Sequence, residues 1–227
     1  METDKDTEDA KTYITIEDHT NLDFDHNDFI FIMKGTQEHI TNDPVEYIYA
    51  VEDLGNADDF DFNDVVFSVS HVSGQPHANV KLLAAGGTLP AWICFDAEGY
   101  SYKSTEVHEM FDVVTNVMVN TADGTTKANM QPGKSFVVQV PTNWSHAEHD
   151  FTTKGNGFGV MVQNEENVTH VTPGNHPAPQ ILILPDSWLW PTERTRINTA
   201  YPDFGEWGKD YTNTTWLNNT GSVVHWY

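Results

Sequence analysis

Short apolar runs separated by turn-forming clusters make up most of this chain. Runs rich in Val, Ile, Phe and Tyr fall at 13–16, 29–33, 46–51, 65–72, 78–84, 91–95, 113–119, 135–140, 158–162, 180–184 and 223–227. Such residues suit a pleated, half-buried surface. The Gly, Pro, Asn and Asp clusters between them read as turns, as in Ser73-Gly74-Gln75-Pro76, Ala85-Gly86-Gly87 and Ala122-Asp123-Gly124. The alternation in Val65-Val66-Phe67-Ser68-Val69-Ser70 predicts a strand with one buried and one wet face. Helical signals are few. Pro191 and Glu193 suit the first turn of a helix over 191–197. A second short helix is expected over 104–111, with Ser104 as its cap. The pattern predicts an all-β fold: a jelly-roll-like antiparallel β-sandwich with one or two short helices. Residues 1–11 are expected as a flexible acidic lead, and 12–227 as a single domain.

Charge changes this picture most. The 227 residues carry 34 acids and 11 bases, a net charge of −23. That argues against a nucleic-acid partner, which needs clustered Lys and Arg, and against docking on an anionic membrane surface. No apolar run is long enough to span a membrane. The polar start, Met1 to Lys11, has no signal-peptide pattern and reads as a tail or a trimmed end. Cys94 stands alone, so no internal disulfide forms, and its apolar setting in 91–95 suggests a small buried hydrophobe. Nineteen of the acids and only three lysines lie in residues 1–64.

Within that acidic half is a duplication. Residues 17–31 read EDHTNLDFDHNDFIF and residues 52–67 read EDLGNADDFDFNDVVF; allowing one inserted residue, nine of fifteen positions are identical. The first copy concentrates Glu17, Asp18, Asp23, Asp25, Asn27 and Asp28. The second concentrates Glu52, Asp53, Asp58, Asp59, Asp61, Asn63 and Asp64. No Lys or Arg interrupts either copy, so their repulsion calls for a counter-ion. Hard oxygen donors without cysteine favour Ca²⁺, which takes about six to eight oxygens. Mg²⁺ prefers more water, and Zn²⁺ prefers Cys or His. The Asp-x-Asp-x-Asn spacing is not that of an EF-hand, because Asp64 stands where the loop needs Gly and Ser70 where it needs Glu. Phe60 and Phe62 alternate with the acids, so an extended loop could send the rings into a core and the oxygens towards one ion. Metal ligands are therefore expected among Glu52, Asp53, Asp59, Asp61, Asn63 and Asp64, and in the first copy among Glu17, Asp18, Asp23, Asp25, Asn27 and Asp28.

The second copy, Val51-Glu52-Asp53 through Asp59-Phe60-Asp61-Phe62-Asn63-Asp64-Val65-Val66-Phe67, resembles the signature of the LruC-type domain of unknown function. So does the C-terminal pattern Ile183-Leu184-Pro185, Trp188, Pro191, Glu193, Ile197, Ala200-Tyr201-Pro202, Phe204 and Trp207. The resemblance implies a mostly β, exported or lipid-anchored protein of the bacterial cell envelope. It also implies a Ca²⁺ site and no enzymatic activity. The first copy is less typical, with His26 in place of Phe62.

Other clusters give alternatives. Trp188, Trp190, Trp207, Trp216 and Trp226 crowd the last forty residues and read first as a Trp-rich core edge; the runner-up is that exposed indoles, the first four above all, stack on sugar rings. His146 and His149 form a His-x-x-His pair with neighbouring carboxylates but lack a third ligand. Arg194 and Arg196, with Glu193, Asp203, Glu206 and Asp210, read as local ion pairs. Four Asn-x-Ser/Thr triplets, at Asn143, Asn167, Asn213 and Asn218, carry no weight in an Asn-rich chain. Glu52 and Asp61 could serve a glycoside hydrolase as acid and base, yet no hydrolase elbow, phosphate loop or zinc-protease motif is present. The sequence thus predicts a non-enzymatic, Ca²⁺-stabilised surface module, structural or adhesive, whose partner is a surface protein or a glycan.

Overall fold

The structure is a computed structural model that describes residues 3–4, 11–16, 29–34, 44–53, 59–145, 156–173, 179–210, 212–221 and 225–226. The chain divides into two compact units, Met1–Asn42 and Asp43–Tyr227. In the first unit β1 (Thr3–Asp4), β2 (Lys11–Ile16) and β3 (Phe29–Lys34) form their own antiparallel sheet. The first acidic copy falls between β2 and β3, outside the described residues.

The second unit is an all-β antiparallel sandwich. One sheet has the order β12–β4–β5–β6–β9, from Ile181–Pro185, Val45–Val51, Val65–His71, His77–Ala84 and Lys134–Gln139. The other has the order β11–β10–β7–β8, from Asn167–Val171, Phe158–Asn164, Ala91–Ala97 and Tyr100–Lys103. Between their facing surfaces lies a core that includes Tyr49, Phe67, Val69, Val80, Leu82, Ile93, Phe95, Phe158 and Val160. Tyr49 stacks on Phe67 at 4.9 Å, and Phe95 meets Phe158 at 4.8 Å.

The wet face expected on β5 is not wet. Val66 and Ser68 are buried too, because the chain after β12 crosses the outer surface of the five-stranded sheet. This C-terminal arm carries β13 (Trp190–Pro191), paired with β14 (His225–Trp226). It continues through two one-turn helices, α2 (Ile197–Ala200) and α3 (Phe204–Trp207), and a 3₁₀ turn at Thr215–Asn218. Ile48, Ala50, Val66, Leu182 and Leu184 from the sheet pack against Trp188, Trp190, Tyr201, Phe204 and Trp216 from the arm. The helix expected over 191–197 begins only at Ile197, since Pro191 is taken up in β13. Trp190 Nε1 donates to the Asn120 carbonyl at 3.1 Å and the Tyr201 hydroxyl to Leu189 O at 2.7 Å, which pins the arm.

Elsewhere the outcome is mixed. Residues 113–119 do not form a strand; only Val119 bridges to Ala85, and Asp112 at φ 60° turns the chain. The hairpin partners β8 and β11 escaped the apolar pattern because their residues are mostly exposed. Helix α1 (Val107–Met110) is capped by Glu106, not Ser104: the Glu106 carboxylate accepts from the amides of His108 and Glu109. Ser104 Oγ instead accepts from Ile93 N, tying the helix approach to β7. Cys94 is half-buried, and burial pushes its thiol up to about 11, away from a reactive thiolate.

Candidate metal centre

The second acidic copy joins β4 to β5. Strand β4 ends in Val51 and delivers Glu52 and Asp53; the chain returns through 59–64 before β5 begins at Val65. The loop is not extended. Phe60 and Phe62 both adopt left-handed backbone, at φ 55° and 56°, a conformation rare for bulky side chains. The two rings meet edge to face at 5.0 Å and each approaches Phe204, at 6.0 and 6.2 Å. So the rings do enter a core, the one beneath the arm. The Phe60 carbonyl accepts from Ile197 N at 2.8 Å, so backbone pairing also joins loop to arm.

This folding brings carboxylates together. Oxygens of Glu52, Asp59 and Asp61 lie within 4.8 Å of one another. Glu52 and Asp61 are buried, and Asp59 is half-buried. Backbone amides orient them. Phe62 N donates to Glu52 Oε1 at 2.5 Å, Asn63 N to Asp61 Oδ1 at 3.2 Å, and Arg194 N to Asp61 Oδ2 at 2.7 Å. Asp53 N donates to Asp64 Oδ2 at 2.7 Å. Among the described ion pairs, none includes Glu52, Asp59, Asp61 or Asp64.

The electrostatic consequence is a set of reluctant acids. Burial, then repulsion from Asp59, pushes Asp61 up to about 8. Burial pushes Glu52 up to about 7, with Asp59 adding to it and the Phe62 amide opposing. Asp64 is pushed up to about 9 by burial and by Asp53. Glu193 is raised as well, by burial and then by Asp59.

Glu193 is the residue that the sequence reading missed. It comes from the arm, far along the chain, and had been placed in a local ion-pair group. Its amide instead donates to the Thr121 carbonyl at 2.9 Å, and Thr121 Oγ1 donates to its Oε2 at 3.3 Å. The Ala85-Gly86-Gly87 turn was the other missed part. A methyl on Gly86 would lie 2.5 Å from Asn63 Oδ1 and 3.0 Å from Glu193 Oε2; one on Gly87 would lie 2.9 Å from Asp53 Oδ2. Both positions therefore need glycine so that the oxygens can close in. Gly86 N donates to Asn63 O and Asp64 O, and Gly87 N to Asp64 O. Behind them, the buried His108 ring contacts the Gly87 carbonyl at 3.0 Å and Glu106 at 2.7 Å.

Asn63 supplies the sharpest clue. Its Nδ2 donates to Pro191 O at 3.1 Å, which fixes the amide. Its Oδ1 is buried with no hydrogen-bond partner among the described residues, an arrangement that costs free energy unless something supplies positive charge or a donor. Carboxylates, an orphaned amide oxygen and a glycine cradle fit a hard cation with oxygen ligands. Glu52, Asp59 and Asp61 are brought together, with Asn63 and Glu193 meeting beside Gly86; Asp53 and Asp64 flank the group at Gly87.

The alternative site residues fare differently. Trp188, Trp190, Trp207 and Trp216 are all buried, at 4 %, 1 %, 3 % and 2 % exposure. Trp188 stacks on Tyr201 at 5.8 Å, and Trp216 meets Tyr201 and Phe204 edge to face at 5.4 and 5.0 Å. These four indoles form the core edge that the sequence suggests and, among the described residues, offer no exposed sugar-stacking platform. His146 and His149 lie outside the described residues. Of the grouped charges, Glu206 pairs with Lys209 at 2.6 Å on the surface, whereas Asp210 accepts from the hydroxyl and amide of Thr212, which hold its carboxyl below the usual carboxylate range.

Residues 151–216 match the model of a domain of unknown function, DUF4842. That match covers the C-terminal pattern but not the acidic signature at 52–67, and it is not specifically the LruC-type family. No curated protein matches the chain. Among solved structures, the crystal structure of a putative lipoprotein from Bacteroides ovatus is similar at a TM-score of 0.49 and 12 % identity, over 86 % of this chain and 80 % of that one. At that similarity the fold is argued from the strands themselves. Among the described residues no helix is long and apolar enough to cross a membrane.

Proposed function

We propose that this chain is a non-enzymatic surface module in which Ca²⁺ fastens the β4–β5 loop to the C-terminal arm. The observation that carries this reading is the buried Asn63 Oδ1, unpartnered among the described residues and held beside Glu193 at the edge of the Glu52, Asp59 and Asp61 cluster. Glu52, Asp59, Asp61, Asn63 and Glu193 would hold the ion. It supplies charge compensation, and the residues supply geometry: three amides aim Glu52 and Asp61 before any ion arrives. An acid–base pair for glycoside hydrolysis is the weaker reading. Such enzymes need two carboxyls with separate roles, one acid and one base or nucleophile, whereas Glu52 and Asp61 stand in one close group with Asp59.

A location at the cell envelope, which the LruC-type resemblance implies, belongs to the same proposal. Weak oxygen sites with dissociation constants of about 10⁻⁴–10⁻³ M are filled by extracellular Ca²⁺. The test is a pair of melting curves, in EDTA and in millimolar Ca²⁺, for the native chain and for Asp61→Ala. Ca²⁺ should raise the native melting point and leave the variant unmoved. Equal melting points for the native chain in both buffers would remove the ion from the account.

A further inference from the structure

A cavity of about 350 Å³ opens on the outer side of the five-stranded sheet, away from the carboxylate cluster. Ile48 and Ser68 of β4 and β5, both buried, lie at its base, and Trp190 and Trp188 of the arm wall one side. Lys127 and residues 130–133 supply more of the lining, and Asn120 holds this segment in place. Asn120 Nδ2 donates to Leu83 O at 2.7 Å and Gln131 O at 3.0 Å, and its Oδ1 accepts from Gln131 N at 2.8 Å. This part of the lining is thus built before any ligand enters, as binding cavities usually are.

The rim chemistry narrows the occupant. Lys81 and Lys127 face the cavity together with Glu46 and Asp186, all four exposed. Two cations balance two anions. The molecule as a whole carries −23, a field that opposes an incoming anion. A neutral ligand is indifferent to that field, and it must both donate and accept to satisfy ammonium and carboxylate groups side by side. It must also present an apolar face to the apolar side chains of the lining, Ile48, Leu83 and Met130. Trp188 adds a further requirement: its indole N–H is buried and has no acceptor among the described residues.

We propose that this cavity binds a neutral sugar, one or two pyranose rings of a glycan. Ring hydroxyls pair with Lys81, Asp186 and Glu46, and the C–H face lies over the apolar base. The cavity volume sits at the small end of ligand sites, about 300–1,000 Å³, which suits a short saccharide rather than a peptide or lipid. No cavity residue belongs to the carboxylate cluster, so this assignment stands whether or not the cation site is filled.

The experiment is calorimetric titration of the full chain. The neutral probes are methyl glucoside, methyl galactoside, methyl mannoside, N-acetylglucosamine and cellobiose; glucuronate and inorganic phosphate are the anionic ones. At least one neutral probe should bind with a dissociation constant of about 1 mM or tighter. Lys81→Met in β6 and Asp186→Asn just after β12, both at exposed positions, should each weaken it about tenfold, the loss expected for one charge-assisted hydrogen bond. Lys103→Met, whose ammonium lies over Trp92, should leave it unchanged. Silence with all five neutral probes overturns the proposal. So does binding of the anions alone, or sugar binding that neither Lys81→Met nor Asp186→Asn weakens.

Discussion

The two faces of the five-stranded sheet are closed by different physics. The inner face meets a second sheet through aliphatic and phenyl side chains, and little there is ionisable. The outer face meets an arm of indoles, a tyrosine and a phenylalanine, with a knot of buried carboxylates at one end and a polar cavity elsewhere. Apolar burial needs no counter-ion and is nearly blind to pH. The outer closure mixes burial with unneutralised charge, so its strength depends on the solution. One sheet thus has a face set by sequence alone and a face set jointly by sequence and medium.

The largest expected effect tests the inner face. Phe67→Ala removes a fully buried ring stacked on Tyr49 and should cost about 3–5 kcal/mol. Denaturant titration should give the same loss in EDTA and in Ca²⁺. A loss that varied with Ca²⁺ would erase the contrast.

Ion removal tests the outer face. At a Ca²⁺ concentration of about 100 times the dissociation constant, linkage contributes about 2.7 kcal/mol. For a domain of this size that is about 5–10 °C in melting temperature, read by calorimetry before and after chelation.

Acidity sharpens the same point. Glu52, Asp61 and Asp64 rise from 4.5, 3.8 and 3.8 to about 7, 8 and 9 on folding. The folded state therefore holds more protons than the unfolded one between roughly pH 4 and pH 9. Without Ca²⁺, stability should fall as pH rises through that window. With Ca²⁺, the cation replaces the protons, so the gain from adding it should grow with pH. Urea midpoints at pH 5, 7 and 9, with and without chelator, check both signs. A metal-free chain that became more stable towards pH 9 would contradict the carboxylate burial.

Gly86→Ala is a smaller perturbation aimed at the cradle. Its methyl would press on Asn63 Oδ1 and Glu193 Oε2, costing about 1–3 kcal/mol by overpacking. It should also blunt the Ca²⁺ response, which Gly205→Ala, with open space around it, should not. At the bottom of the scale, Lys209→Ala breaks an exposed pair with Glu206 and should change stability by less than about 0.5 kcal/mol.

Legibility followed locality. β4, β5 and β6 were readable because each is a continuous apolar run bounded by turns, and their hairpins join neighbours in sequence. Residues 113–119 misled because their valines look like a strand, yet Val114 and Val117 point to solvent at 67 % and 40 % exposure. The burial of β5 on both faces was invisible, since Ser68 and Ser70 mimic a wet edge and nothing local announces the arm that covers Ser68. The site divides the same way. Glu52, Asp59 and Asp61 stood out because one loop holds all three. Glu193 and Gly86 did not, because their role exists only after the arm has crossed the sheet. The tryptophans stand out as a group in the sequence, and their number reflects the area of sheet they cover as a core edge.

Placing Trp188, Trp190, Trp207 and Trp216 in the arm also gives the molecule its own optical gauge. Detachment of the arm would carry four indoles from a dry setting into water at once, shifting their emission to longer wavelength, while Trp144, wedged against Phe95 and Phe158 inside the sandwich, would stay dark to the event. Undocking of the arm and collapse of the whole sandwich therefore leave different spectra.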